Sequence, residues 1–189
     1  MSVPVETRTP PAEAQLIEAA VRGDAGAFAA LYDLHLDRVY RHIYYRVGNR
    51  DDSEDLTQQV FLQAWRAINR YERTHTPFIA WLLTIAYNAV VSFSRRTKDV
   101  TPFELEAATH ERWADPEAET LARYDRLAVR RAILRLKPDH QQVILMRFVE
   151  YFDYPTIAAA LGKTEGNIRV IQHRALLELR RLLSHEVKG

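Results

Sequence analysis

Side chains that can contact nucleic acid lie close together in the last third of the sequence. Arginine can donate two hydrogen bonds to guanine, asparagine can pair with adenine, and glutamate can accept a hydrogen bond from cytosine. A lysine at the edge of such a group can contact phosphates instead. The candidate side chains are Lys163, Thr164, Glu165, Asn167, Arg169, Val170, His173 and Arg174.

A helix-turn-helix is predicted to position these side chains. Asp153 can cap a short helix that ends at Leu161, and Gly162 can take the left-handed conformation of a tight turn. Thr164 can then cap a second helix that begins at Glu165. In this motif the first turns of the second helix face base edges in the major groove. The apolar residues that the second helix turns inward are Ile168, Ile171, Ala175 and Leu179.

A second group of polar side chains lies on a helix predicted over residues 53–68. Residues 51–53 are N-cap candidates for it, and acidic side chains in its first turn suit the positive end of the helix dipole. Residues four apart share one stripe of a helix, and such a stripe either is merely solvated or docks on a partner. The stripe consists of Asp55, Gln59 and Gln63.

Catalytic and metal chemistry find little support in the sequence. The acids of residues 51–55 could form a metal cluster in a helical hydrolase, but no histidine lies near them in the chain. The seven histidines show no metal-ligand or triad spacing, and there is no cysteine and no glycine-rich phosphate loop. We therefore expect no enzymatic activity, no cofactor and no metal site, with the hydrolase kept as a rival interpretation.

The composition and apolar spacing predict an all-α protein. The 189 residues are 47% hydrophobic and 27% charged, as in soluble globular chains. Apolar residues recur at steps of three and four, and the six glycines and eight prolines fall mostly between such segments. The helices predicted in this way before the helix-turn-helix cover residues 27–47, 53–68, 78–96, 117–137 and 139–150.

The charge pattern divides the chain into two small helical domains joined by a flexible linker. Residues 1–98 carry a net charge of +1, residues 99–119 carry −6 and residues 120–189 carry +6. A basic C-terminal unit is typical of a nucleic-acid binder whose contacts are confined to one module. The predicted parts are an N-terminal tail with the start of the first helix (1–25), a first domain (26–98), an acidic linker (99–118) and a second domain (119–189).

No membrane span or export signal is predicted. The apolar run from Phe78 to Val91 is shorter than the ~20 residues that cross a bilayer, so we interpret it as a buried helix at the centre of the first domain. The N-terminus lacks the basic start and apolar core of a secretory signal. We therefore expect a cytoplasmic protein.

Three separated stretches resemble the bacterial RNA polymerase sigma factors of the extracytoplasmic-function (ECF) group, in the order found in that family. DDSEDLTQQVFLQAW, residues 51–65, resembles region 2.2, the helix that docks on the clamp of the largest polymerase subunit. FIAWLLTIAYN, residues 78–88, runs on to Arg95 and Arg96 and resembles regions 2.3 and 2.4, which handle the promoter −10 element. LKPDHQQVILMRF, residues 136–148, with the helix-turn-helix after it, resembles region 4, which reads the −35 element.

The resemblance implies two sigma domains and a set of site residues. It places all eight candidates, from Lys163 in the turn to Arg174 on the second helix, on the −35 element. Tyr71 and Trp81 we interpret as core residues. The residues expected at the −10 element are Arg73, Thr74, His75, Asn88, Arg95 and Arg96. Those expected at the polymerase are Asp52, Asp55, Leu56, Gln59 and Gln63.

The function implied is that of a sigma factor, which binds core RNA polymerase, directs it to promoters and helps to open the DNA. The expected partners are the clamp of the largest subunit, the flap of the second subunit and promoter DNA. An anti-sigma factor is common in this group, although no residue here identifies one. The main alternative is a stand-alone helix-turn-helix regulator whose N-terminal helices sense a ligand or dimerise.

The sequence departs from the family pattern at two places. Lys137 precedes Pro138 where the family commonly has leucine, a change with little consequence. Ile171 and Gln172 precede His173 in the recognition helix, where the family usually has arginine and leucine. The second departure means that base preferences cannot be carried over from relatives.

Overall fold

The computed structural model describes residues 11–72, 76–97 and 120–186. Across these ranges the chain folds into eight α-helices with no strand, which confirms the predicted all-α class. The predicted linker, residues 99–118, lies outside the described ranges. The helices are α1 (Pro11–Val21), α2 (Ala25–Val47), α3 (Arg50–Ala67), α4 (Phe78–Thr97), α5 (Thr120–Leu134), α6 (Pro138–Ile144), α7 (Tyr154–Leu161) and α8 (Glu165–Glu186).

Helices α1 to α4 form the first bundle. Its α2 begins where the Asp24 carboxylate accepts hydrogen bonds from the backbone N–H groups of Gly26 and Ala27, at 2.8 and 3.0 Å. It ends at Gly48, whose φ of 84° lies in the left-handed region, as the sequence predicts. The core of the bundle contains Ile17, Leu31, Val39, Ile43, Val60, Phe61, Phe78, Leu82, Leu83 and Ala86.

Two features of the first bundle differ from the sequence-based expectation. Helix α1 was not predicted as an element, yet it buries Ile17 and Ala20 against the rest of the bundle. Helix α3 begins at Arg50 and is capped by Asn49, whose side-chain oxygen accepts from the backbone N–H of Asp52 at 2.9 Å. The capping role assigned to residues 51–53 is therefore wrong, because these residues already lie in the first turn.

Helices α5 to α8 form the second bundle, which contains the predicted helix-turn-helix. Asp153 caps α7 by accepting from the backbone N–H of Thr156 at 2.9 Å. Gly162 ends α7 with a φ of 61°, which confirms the predicted left-handed turn. The apolar cluster within this bundle consists of Ala132, Ile133, Leu136, Ile144, Leu145, Ala175, Leu179 and Leu182.

The helix predicted over residues 139–150 changes its winding partway. Helix α6 ends at Ile144 and the chain continues as one π-helical turn over Leu145–Val149. The successive residues Leu145 and Met146 are both fully buried, but they belong to two different apolar clusters. Successive side chains of a helix point about 100° apart, so Leu145 and Met146 can reach separate clusters on two sides of this segment.

The two bundles pack against each other, with α5 against α2 and α7 against α4. Val143, Met146, Phe152 and Ile157 of the second bundle join the apolar cluster of the first. By length and composition alone α4 could cross a membrane, but it is a core helix whose apolar side chains lie inside this packing. The described helices therefore form one packed body.

Candidate nucleic-acid and polymerase interfaces

The recognition helix α8 presents its predicted contacts to solvent. All eight candidates from Lys163 to Arg174 are exposed. The rotation of α8 is fixed because Ile168 and Ala175 are fully buried on its opposite face. Thr164 accepts from the backbone N–H of Asn167 at 3.2 Å, as expected of its N-cap. The first two turns of α8 are therefore free to enter a major groove.

Arg169 is held in place by an aromatic side chain that sequence reasoning missed. Its guanidinium carbon lies 3.9 Å from the ring centroid of Tyr154, in a cation–π contact. The Arg147 guanidinium lies 4.9 Å from the same ring. Glu165, one turn before Arg169, has a carboxylate oxygen 3.9 Å from it. Tyr154 is thus a positioning residue for the predicted base-reading arginine.

Lys163 is paired with an acid on α6. Its Nζ lies 3.5 Å from Oδ2 of Asp139, and the hydroxyl of Tyr87 on α4 donates a hydrogen bond to the other oxygen of that carboxylate. The Tyr87 hydrogen bond, followed by the Lys163 charge, holds the pKa of Asp139 below its usual value. Burial and the adjacent carboxylate raise the pKa of Tyr87 to about 12. Lys163, which is expected to contact a DNA phosphate, is therefore paired with the Asp139 carboxylate in this structure.

Helix α4 carries the described part of the predicted −10 surface. Asn88, Arg95 and Arg96 are exposed, and Asn88 and Arg95 are seven residues apart and so share one face. Arg73, Thr74 and His75 lie outside the described residues. Tyr71 is buried beside Phe78, and its hydroxyl donates to the Thr76 carbonyl at 2.8 Å, which fits its interpretation as a core residue.

Helix α3 presents most of the predicted polymerase stripe. Asp55, Gln59 and Gln63 are exposed, and Asp52 is half-buried. Burial, then the neighbouring acid Asp55, raises the pKa of Asp52 above its ordinary value. Leu56 is only 2% exposed and packs in the core, so its assignment as a polymerase contact is corrected.

Leu62 is a candidate that sequence reasoning missed on the same helix. Its side chain is 50% exposed, and it lies three residues after Gln59 and seven after Asp55, on the same face. The sequence could have indicated Leu62, because it is an apolar residue beside a polar stripe and the centre of a docking surface is usually apolar. Among the described residues no group of acidic or histidine side chains could hold a metal ion.

The fold brings the two predicted DNA surfaces together. Asn88 and Lys163 line the same cleft between the bundles, a cavity of about 270 Å³. Arg95 lines a second cleft of about 430 Å³ together with Lys137 and Ile171 of the second bundle. In this arrangement Asn88 and Arg95 are exposed at clefts beside the second bundle, and the eight predicted contacts from Lys163 to Arg174 face solvent.

Two protein families match the chain in separate places. Sigma-70 region 2 matches residues 31–100, and Sigma-70 region 4 matches residues 132–181. The first match contains α3 and α4, and the second contains the helix-turn-helix. Together they contain the described parts of all three candidate surfaces, on α3, α4 and α8.

Named relatives and a solved structure agree with these matches. The chain is 40% identical over 178 residues to the ECF RNA polymerase sigma factor BldN of Streptomyces coelicolor, covering 92% of this chain and 67% of BldN. It is 34% identical over 163 residues to the RNA polymerase sigma factor CarQ of Myxococcus xanthus, covering 85% and 91%. The sigma factor RpoE from Bartonella quintana, solved with the anti-sigma factor NepR, aligns with a TM-score of 0.65 at 25% identity, covering 83% and 96%.

Proposed function

Because the chain belongs to the ECF group of RNA polymerase sigma factors, we propose how its surfaces divide the work of promoter recognition. A sigma factor binds core RNA polymerase, directs it to promoters and helps to open the DNA. The first turns of α8 read the −35 element, the exposed face of α4 handles the −10 element, and the α3 stripe docks on the polymerase clamp. The observation that carries this assignment is that all eight predicted base and phosphate contacts, from Lys163 in the turn to Arg174 on α8, are exposed, while the opposite face of α8 is buried.

The site residues of this proposal follow the structure rather than the sequence alone. At the polymerase they are Asp52, Asp55, Gln59 and Gln63, with Leu62 added and Leu56 removed. Arg73, Thr74 and His75 remain proposed for the −10 element on the resemblance alone. We also place the protein in the cytoplasm, without covalent chemistry of its own, and include an anti-sigma factor among its partners.

The experiment that tests the function is run-off transcription from a pool of genomic fragments, with core RNA polymerase of the source organism and the purified chain. Specific transcripts should appear only when both are present. A stand-alone regulator would instead bind duplex DNA tightly without polymerase and would yield no transcripts. That second result would overturn the proposal.

Polymerase docking is tested by the double variant Asp55→Ala, Gln59→Ala. Each lost polar contact is worth ~0.5–1.5 kcal/mol, so the affinity for core polymerase should fall about tenfold. Helix content should be unchanged because both side chains are exposed. Fluorescence anisotropy with labelled protein measures the affinity, and circular dichroism measures the helix content.

A matched control removes the same residue types elsewhere on the first bundle. Gln15 on α1 and Asp33 on α2 are also exposed, so Gln15→Ala, Asp33→Ala should leave the affinity for core polymerase unchanged. If the two double variants and the unaltered chain bind core polymerase with equal affinity, then the α3 stripe is an ordinary solvated face and not a docking surface.

A further inference from the structure

An apolar side chain lies at the centre of the outward face of the recognition helix. Val170 is 48% exposed, although the helix buries its other branched apolar side chains to a greater extent on its inward face. Successive helical residues are about 100° apart, so Val170 points about 200° around α8 from the fully buried Ile168. It therefore lies nearly opposite the face that packs into the protein.

The two residues that depart from the family pattern do not share this outward face. Ile171 is half-buried and packs against the apolar cluster that contains Ile168. Gln172 is also half-buried, and its side-chain oxygen is buried. The departure therefore changes the packing side of α8, and the base preference of the outward face must be inferred from the residues exposed there.

Gly166 lies one turn before Val170 on the same outward face. It is exposed, and the nearest atom that a Cβ there would meet is the hydroxyl oxygen of Thr164, at an ordinary contact distance of 3.9 Å. Packing within the protein therefore does not require a glycine at this position, and glycine is less favourable than alanine in a helix. A glycine does let the helix backbone approach a ligand more closely than a side chain would allow.

The residues around Val170 suit contact with DNA. Arg169 and Arg174 flank it, His173 lies one turn further along, and all three are exposed. Basic side chains of this kind attract phosphates. Within the major groove, thymine presents an apolar group, its C5-methyl, and apolar side chains pack against that group. An exposed valine surrounded by basic side chains therefore matches a thymine.

Leu177 continues the apolar stripe beyond the reach of the bases. It lies seven residues after Val170, which is two turns or about 10 Å further along the same face, and it is 54% exposed. Only the first turns of a recognition helix reach base edges. Leu177 is therefore a matched apolar residue that the DNA contact does not include.

We propose that Val170 packs against the C5-methyl group of a thymine in the −35 element, and that Gly166 gives the helix the close approach that this contact needs. Removing one methyl group from water is worth about fourfold in affinity, or ~0.8 kcal/mol at ~1.4 kcal/mol per tenfold. The contact distinguishes thymine from cytosine, which lacks this methyl group. This inference rests on the proposed assignment of α8 to the −35 element.

Removing single methyl groups from the DNA tests the contact directly. The −35 sequences come from promoters that the chain and core polymerase select from the genomic pool. Each thymine of the element, on either strand, is replaced in turn by deoxyuridine, which pairs as thymine does but lacks the C5-methyl. One replacement should weaken binding of the polymerase complex about fourfold, as measured by fluorescence anisotropy with labelled duplex.

Removing the valine side of the contact completes the cycle. Val170→Ala should bind the thymine and the deoxyuridine forms of that position with equal affinity, because the partner of the methyl group is gone. The matched control is Leu177→Ala, which removes apolar surface from the same stripe and should keep the fourfold difference. Both side chains are exposed, so circular dichroism should show unchanged helix content.

The role of Gly166 is tested by adding a methyl group to it. Gly166→Ala should weaken binding to the thymine and deoxyuridine forms alike, because the added Cβ holds the helix away from the groove. Its melting temperature should stay the same or rise, since alanine favours a helix more than glycine does. Unchanged DNA affinity in this variant would contradict the close approach.

The methyl contact is overturned if the selected −35 elements share no thymine, or if no deoxyuridine replacement weakens binding. It is also overturned if Val170→Ala keeps the difference between thymine and deoxyuridine, because the methyl group then contacts another side chain. In all three cases the promoters are still selected, so the proposed function stands. If the unaltered chain and core polymerase select no promoter at all, the proposed function fails and the methyl contact fails with it.

Discussion

Replacing Arg169 by alanine is expected to weaken binding to the preferred −35 sequence by about 1–3 kcal/mol, or roughly 5- to 150-fold, and to relax preference at one base pair. Arg169 is exposed one turn inside the recognition helix, where side chains reach base edges. The Tyr154 ring already holds its guanidinium, so little side-chain freedom is lost on binding. Binding of the polymerase complex to a panel of −35 variants measures both effects.

The matched comparison is Lys163→Ala, which removes a positive charge from the turn before the same helix. Because a phosphate contact carries no base information, this variant should weaken binding to every sequence alike and lower the salt slope by about one unit. Lys163 must first leave Asp139, so part of its contribution is offset. Measurements at two salt concentrations separate the two kinds of contact.

A uniform loss across the panel for Arg169→Ala would contradict the assignment. It would mean that α8 docks in another register and that Asn167 or Arg174 reads the bases instead. Tyr154→Leu adds a second check on the same residue, since it removes the ring but keeps the arginine. It should cause a smaller loss at the same base pair as Arg169→Ala.

The features that sequence reasoning predicted well depend on interactions within one helical turn. Asp153 caps α7 and Thr164 caps α8 through backbone groups three residues away, so both roles are visible in the local sequence. The inward face of α8 follows from apolar spacing alone, and Ile168 and Ala175 are fully buried as expected. The eight exposed candidates then follow from the opposite face.

Competition between similar side chains limited the local predictions elsewhere. Asn49, Asp51, Asp52 and Ser53 can all cap a helix, and only the backbone geometry selects Asn49. Leu56 was assigned to the polymerase because the family motif contains it, yet the amphipathic pattern of α3 turns it into the core. The pattern was the better guide, since burial of an apolar side chain outweighs most surface contacts.

The polar contacts between the two bundles could not be predicted from the sequence for a different reason. The His42 ring hydrogen-bonds to the side-chain oxygen of Gln142 at 2.9 Å although the two residues are 100 apart in the chain, and Arg38 donates to the Glu150 carboxylate at 2.9 Å across 112 residues. Glutamine, arginine and glutamate are ordinarily surface residues, so nothing in their local sequence marks them as buried. Only the packing of α2 against α6 and the π turn reveals their partners.

Acid is expected to weaken the packing of the two bundles against each other through His42, a fully buried residue of α2. Burial, reinforced by the positive charge of Arg46, lowers the pKa of His42 to about 3, against 6.5 for an unperturbed histidine, and the hydrogen bond with Gln142 offsets only part of this. The other charge acting on the ring is Arg41, which lowers the pKa further. While the two bundles are packed together, the His42 imidazole is therefore neutral.

The direction follows from the two pKa values. His42 binds a proton more weakly while the two bundles are packed together than when it is in water. It therefore stabilises the packed arrangement fully above pH 6.5, and this stabilisation is lost as the pH falls from 6.5 toward 3. The loss is about 1.4 kcal/mol per pH unit, or roughly 2 kcal/mol at pH 5. Asp139, whose pKa is depressed below 3.8, changes stability only at lower pH, so His42 dominates above pH 4.

The change should appear as separation of the bundles before the helices unfold. Gln142 of the second bundle is the hydrogen-bond partner of His42 Nε2, so separating the two bundles removes this contact and opens this side of the imidazole to water. Spin labels on Asp37→Cys of α2 and Ser184→Cys of α8, both at exposed positions, report the distance between the bundles by pulsed electron paramagnetic resonance. Between pH 7 and pH 5 this distance should lengthen while far-ultraviolet circular dichroism stays constant. His42→Gln, which cannot titrate, should remove this pH dependence. If the separation is constant across this range, or if His42→Gln responds to acid as the unaltered chain does, then protonation of His42 does not control the packing of the two bundles.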